Sequence, residues 1–135
     1  MQDKSSLDPQ DIELITIAGN HAKERFQKGL ISIGGALRTK SGKIYTGINL
    51  KYRTRNTSAC AETMAIYAAL NDGEREFDMV VGVKYLPETD SFAVVNACGW
   101  CRQLFSYNTP LRVIVDDNGK LDVVTAEALL PFAFL

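Results

Sequence analysis

All three cysteines of this chain fall in two short stretches, Ser58-Ala59-Cys60-Ala61-Glu62 and Ala97-Cys98-Gly99-Trp100-Cys101-Arg102-Gln103. Few folds bring two such stretches together. Cys98 and Cys101 are three residues apart, so at the opening of a helix both sulfurs project from the first turn toward one point. There the unpaired backbone N–H groups and the positive helix end favour thiolate over thiol. Cys60 does the same from a second helix, for which the run from Ala61 to Leu70 (AETMAIYAAL) is a strong helix former. Both helices then belong on one face of a sheet, start against start.

Three thiolates suit zinc, which takes four tetrahedral ligands and in catalytic sites leaves the fourth to water. Glu62 follows the first cysteine by two residues and lies on the first turn of its helix, close to the metal yet free to take a proton from water. Each part also has a plainer explanation. Cys98-Gly99-Trp100-Cys101 alone could be a redox pair, but that motif belongs after an early strand of a βαβ unit, and Cys60 would go unused. A structural zinc wants a fourth protein ligand, and only the distant His21 offers one. Glu62 alone is a favourable anion at a helix start.

The remainder reads as scaffold. Asp8 is a helix N-cap, with Pro9 at the first helical position and Asp11 in the first turn. Ile12, Ile15, Ala18, Ala22 and Phe26 form an apolar stripe that ends at Gly29. His21, the only histidine, falls at the flank of this stripe and reads as a surface or edge residue. Leu30 to Arg38 and Lys43 to Leu50 make a hairpin around Ser41-Gly42. Next, Lys51 to Thr57 alternates cations with uncharged residues, so in extended form Lys51, Arg53 and Arg55 share one side. That side is either a solvated or subunit-contact loop or a reader of a substrate anion.

Phe77 to Leu86 (FDMVVGVKYL) is apolar enough for a central strand buried on both faces. Pro87 to Asp90 breaks it, and Ser91 to Asn96 leads extended into Cys98. Leu111 to Val115 and Leu121 to Val124 form a second hairpin around Asn118-Gly119, and Thr125 caps a short helix from Ala126 to Leu130. Helices and strands in this order predict an α/β fold, a three-layer α/β/α sandwich around one five-stranded mixed sheet. The 135 residues are expected to form a single domain.

A formal net charge of −1 argues against a nucleic-acid footprint and for a free small molecule. No apolar run approaches the roughly 18 residues of a membrane span, and Met1 to Ser6 carries no apolar h-region. With an odd number of cysteines accounted for by one metal site, the expectation is a cytoplasmic protein with no membrane partner.

The pattern Cys60-Ala61-Glu62 followed by Cys98-Gly99-Trp100-Cys101-Arg102-Gln103 resembles the cytidine deaminase family, in its small three-cysteine class. Ile33-Gly34-Gly35-Ala36-Leu37, Gly47-Ile48-Asn49 and Leu129-Leu130-Pro131-Phe132-Ala133-Phe134 extend the likeness over roughly residues 10 to 135. The resemblance implies Zn²⁺ held by Cys60, Cys98 and Cys101, and hydrolytic deamination at C4 of a cytosine ring. Glu62 would take a proton from water, deliver it to ring N3 and then to the departing amine. It also implies that the Ala61 N–H binds the ring carbonyl, that Asn49 binds the sugar, and that Phe134 closes over the base in a homotetramer whose subunits wall one another's sites. The closing hairpin matches the free-nucleoside branch of the superfamily, since only about five residues join Val115 to Leu121, too few for a crossover helix.

Four positions depart from the family pattern. Lys51 stands where a glutamate holds the ribose hydroxyls, and Ile31 where a phenylalanine lies near the base. Ala97 replaces a proline, and Thr63 an arginine that offsets the formal −1 of zinc with three thiolates, leaving that task to helix dipoles and Arg102. The first two departures resemble blasticidin-S deaminase-like members, whose cytosine nucleoside analogue bears a carboxylate, and they imply that Lys51 reads an acidic group. A non-enzymatic zinc-stabilised assembly or ligand-binding protein of the same fold is the alternative.

Overall fold

The computed structural model describes residues 2–134. Helix α1 (Pro9–Arg25) starts as the sequence predicts, with Asp8 Oδ1 accepting the Asp11 N–H at 3.0 Å. Strands β1 (Ile33–Thr39) and β2 (Ile44–Ile48) form the first hairpin, α2 spans Ala61–Asn71, and β3 spans Phe77–Leu86. Strand β4 (Ser91–Val95), helix α3 (Gly99–Ser106), and the hairpin of β5 (Arg112–Asp117) and β6 (Lys120–Thr125) complete the order. Asn118 and Gly119 both adopt positive φ, 52° and 93°, as a two-residue hairpin turn of the Asn-Gly kind requires. The last helical turn is a 3₁₀ turn at Glu127–Leu129, with Thr125 Oγ1 accepting the Ala128 N–H at 3.2 Å.

The sheet runs β2-β1-β3-β5-β6, five strands across. The stretch expected only to lead extended into Cys98 is itself paired, as a short sixth strand. This follows from the length of β3. One of its edges is taken by antiparallel β1, while the other is shared between parallel β5 at Met79 and Val80 and antiparallel β4 from Gly82 to Leu86. The β1–β3 register jumps from Arg38↔Met79 to Thr39↔Phe77, leaving Asp78 unopposed. This bulge turns Phe77 to the face opposite Met79.

Both faces of the sheet are covered. Leu14, Ile15 and Ala18 of α1 pack with Met79, Val81 and Val83. On the other side Ala65 and Ile66 of α2 and Cys101 and Phe105 of α3 pack with Leu37, Phe77 and Val80. Full burial of a side chain such as Phe105 contributes roughly 1.5–3 kcal/mol. The tandem Gly34-Gly35 of β1 lets helices press on the strand from both sides. A Cβ at Gly34 would stand 2.1 Å from the Ala18 carbonyl oxygen of α1, and one at Gly35 2.5 Å from the Ala61 carbonyl oxygen of α2. That close seat puts the start of α2 directly on the sheet, and the metal-side chemistry begins there.

Candidate metal centre and pocket

Cys60 is the N-cap of α2 and Cys98 the N-cap of α3, both with extended backbone, and Cys101 lies in the first turn of α3. Their three sulfurs all fall within 4.8 Å of one another, with Cys60 Sγ and Cys98 Sγ 3.3 Å apart. A tetrahedral zinc with Zn–S bonds of about 2.3 Å spaces its sulfurs by about 3.8 Å, so the cluster closes on one such ion with small adjustments. Soft sulfur donors also favour zinc over hard cations. Among the described residues no His, Asp or Glu joins the group, which leaves the fourth position open. His21 sits half-buried in α1, its pKa lowered by burial and by Arg25, and takes no part.

The thiols differ in proton affinity. Burial pushes Cys60 up to about 11, and burial together with the Glu62 charge pushes Cys101 higher still. Burial also acts on Cys98, but the Cys101 and Trp100 backbone N–H groups at the start of α3 and the neighbouring thiols hold it below its ordinary value. A cluster of this kind ionises fully only around a cation, which links metal binding to proton release.

Glu62 is 6% exposed, and burial raises its pKa although its own backbone N–H opposes the shift. Its carboxylate occupies space that only a glycine leaves in β3, since a Cβ at Gly82 would come within 2.7 Å of Glu62 Oε2. The sequence reading passed over Gly82. A lone glycine inside an apolar strand is itself a signal of close approach from another group.

The hydrogen bonds of Arg102, expected to help offset the charge of the zinc site, go to backbone carbonyls. The guanidinium donates from Nε to the Ala97 carbonyl at 2.9 Å and from a terminal nitrogen to the Leu129 carbonyl at 3.4 Å, bracing the loop and tail. Thr63 Oγ1 instead stands 3.1 Å from Cys101 Sγ, a neutral partner beside a thiolate.

A pocket of about 300 Å³ opens at the cluster, lined by Asn49, Lys51, Ala61, Glu62, Asn96 and Cys98 among others. A slightly larger cleft, about 360 Å³, lies between α1 and the first hairpin. Of its four charged residues, Glu13, Arg38, Lys40 and Asp78, Arg38 and Asp78 are bonded to each other at 2.9 Å, and the cleft holds no comparable donor set. In the first pocket Asn49 Oδ1 accepts the Ser32 and Ile33 N–H groups at 2.9 and 2.8 Å. Its amide nitrogen donates to the Leu30 carbonyl at 3.5 Å and carries a second N–H.

Lys51 is exposed at the pocket mouth. Arg53 and Arg55 are exposed away from the lining, and the alternating stretch does not stay extended as far as Arg55. Arg55–Thr57 forms a 3₁₀ turn, held by Thr57 Oγ1 donating to the Thr54 carbonyl at 2.7 Å. Phe134 is 80% exposed and does not line its own chain's pocket. Its carbonyl is held against α3 by Gln103 Nε2 at 2.7 Å and the Tyr107 hydroxyl at 3.3 Å.

Comparison with known proteins agrees with this geometry. The family model for the cytidine and deoxycytidylate deaminase zinc-binding region matches residues 8–116. A blasticidin-S deaminase of Bacillus cereus is 34% identical, with 96% of this chain and 95% of that protein covered. A cytidine deaminase of Sporosarcina psychrophila is 30% identical, covering 92% and 91%. Among solved structures, the cytidine deaminase of Burkholderia pseudomallei superposes with a TM-score of 0.74 at 30% identity, over 95% of this chain and all of that one.

Proposed function

The chain belongs to the cytidine and deoxycytidylate deaminase family, a zinc-dependent deaminase by that membership, and we propose that it hydrolyses the exocyclic amine of a cytosine ring in a free nucleoside or nucleoside analogue. The observation that carries this reading is the convergence of three sulfurs within 4.8 Å beside a buried carboxylate. Zinc at such a site lowers the pKa of the water it holds to about 7. Cys60, Cys98 and Cys101 would hold the ion, and Glu62 would take a proton from the attacking water.

Glu62 then delivers that proton to ring N3, collects the second from the hydroxyl newly added at C4, and passes it to the leaving amine. Water adds at C4, the C4–N bond breaks, and the products are a uracil-type ring and ammonia. A raised carboxyl pKa suits a group that must both accept and return a proton. The Ala61 N–H, free at the first turn of α2, binds the ring carbonyl, and the Asn49 amide nitrogen donates to the sugar.

Lys51 reads an acidic group on the substrate, as its place at the pocket mouth supports. The B. cereus relative is named for blasticidin S, and a carboxylated cytosine nucleoside of that kind is the substrate class we assign. Phe134, turned away from its own pocket, serves the site of a neighbouring subunit in a homotetramer. No helix among the described residues is long and apolar enough to cross a membrane; the assignment of the three cysteines to one metal centre rather than to disulfides supports a cytoplasmic enzyme. The test is ammonia release by zinc-replete protein from cytidine, deoxycytidine, cytosine and blasticidin S. Turnover led by blasticidin S supports the assignment, and preference for cytidine would withdraw Lys51 from specificity.

A further inference from the structure

The hydrogen bonds in the fork between β4 and β5 identify a residue that the cysteine motif leaves out. At any one point β3 offers this edge to a single strand, so it is paired to β5 at Val80 and to β4 from Gly82 onward. In the fork two carboxamides stand in for a peptide partner. Asn96 Nδ2 donates to the Asp116 carbonyl at 3.0 Å, and Asn96 Oδ1 accepts the Asp116 N–H at 2.8 Å. Gln2 treats Val94 in the same way, donating to its carbonyl at 2.9 Å and accepting its N–H at 2.8 Å.

The two pins differ in what lies beside them. Asn96 is two residues before Cys98, and the intervening Ala97 has its carbonyl held by Arg102. Alanine, unlike proline, does not fix φ at that position. The backbone entering α3 is therefore held at both ends by side-chain bonds. We propose that Asn96 is a positioning residue of the zinc centre, fixing through Asp116 the peptide that presents Cys98 to Cys60. Asn96 lines the pocket, and the paired bonds of its carboxamide with Asp116 fix the orientation of the side chain. Partners of this outer kind typically change metal affinity by about 10- to 100-fold.

This inference rests on the zinc centre proposed above but not on any substrate, so its test reads metal retention. Holoprotein is mixed with excess chelator, and zinc release is timed for the parent, Asn96→Ala, Asn96→Asp and Gln2→Ala, with a thermal midpoint measured for each. Asn96→Ala is expected to release zinc about 10-fold faster or more. Asn96→Asp, which keeps the acceptor and loses the donor, falls between. Gln2→Ala lowers the thermal midpoint yet releases zinc at the parental rate.

Parental release from both Asn96 variants overturns the assignment. So does release from Gln2→Ala as fast as from Asn96→Ala, because retention would then follow overall stability. If Asn96→Ala does not fold, Asn96→Asp against Gln2→Ala decides. A parent that binds no zinc overturns the centre itself and this proposal with it, an outcome distinct from equal retention.

Discussion

At the metal end of the pocket the three sulfurs and the Glu62 carboxylate ride on two helix starts, with Cys98 the exposed member, whereas at the opposite end Lys51 stands on an exposed loop and Asn49 is braced by its hydrogen bonds. Cys101 and Glu62 are almost fully buried. Lys51 is held through its backbone, its N–H donating to the Leu30 carbonyl at 3.1 Å. On the proposed assignment, the contrast teaches that the reaction is built into regular secondary structure while recognition is left to segments that can change without disturbing it. Relatives named for different substrates, at 34% and 30% identity, fit such a division.

The sharpest way to break the comparison is to attack the metal end. Cys101→Ser is expected to lose bound zinc and with it all measurable ammonia release, and prolonged dialysis of the parent against a chelator should do the same. Zinc content by atomic absorption, measured with turnover, checks both. Retention of one zinc per chain with full turnover would place the metal elsewhere.

A subtler blow is Gly82→Ala. The added methyl meets the Glu62 carboxylate at 2.7 Å, so the carboxylate must move while the three sulfurs stay in place. Turnover should fall by about 100-fold, the scale of a displaced general acid–base, with zinc content unchanged. Steady-state kinetics on a metal-quantified sample would show it. An unchanged kcat would mean that Glu62 has room to spare.

At the recognition end the expected effect is smaller. Lys51→Glu reverses one exposed charge, and exposed pairs contribute about 1 kcal/mol or less. Its kcat/KM for blasticidin S should fall by up to about 5-fold with that for cytidine little changed. Equal loss on both substrates would make Lys51 a structural residue, and no loss on blasticidin S would remove it from specificity.

The smallest effect belongs to a site outside both ends. Asp78 lies between Arg38 and Arg112, at 2.9 and 2.8 Å. Burial works against its ionisation, yet the two guanidinium groups hold its pKa below the ordinary 3.8. A depressed native pKa means that stability is present above the unfolded value and lost as pH falls through the native one. Asp78→Asn should therefore cost about 1 kcal/mol in urea unfolding at pH 7, and the gap to the parent should close in acid. Ammonia release at neutral pH should be untouched.

Much of this was legible in the chain. Capping by Asp8, the Asn118-Gly119 turn and the apolar run of β3 each follow from one local rule, and the structure places all three where those rules put them. The cysteine spacing likewise predicted two helix starts meeting at one point. What escaped depends on contacts distant in sequence. Whether Ser91–Val95 pairs depends on how β3 shares its edge, which only the packed sheet decides. Arg102 was expected beside the thiolates, but its partners Ala97 and Leu129 come from the loop before α3 and from the chain's end, and Thr63 stands by Cys101 instead. Lys51, Arg53 and Arg55 would share one side only in extended form, and Thr57 closes a turn on the Thr54 carbonyl by a side-chain bond that charge patterning does not reveal.

The most direct test of the central claim, that Glu62 acts as the proton carrier beside a three-cysteine zinc, is Glu62→Ala compared with the parent at matched zinc content. Ammonia release from cytidine and blasticidin S is followed in both. The account predicts one zinc per chain in each protein, turnover by the parent, and a loss of at least about 100-fold in the variant. Comparable turnover by Glu62→Ala with zinc retained, or a zinc-loaded parent that releases no ammonia from either compound, would contradict it.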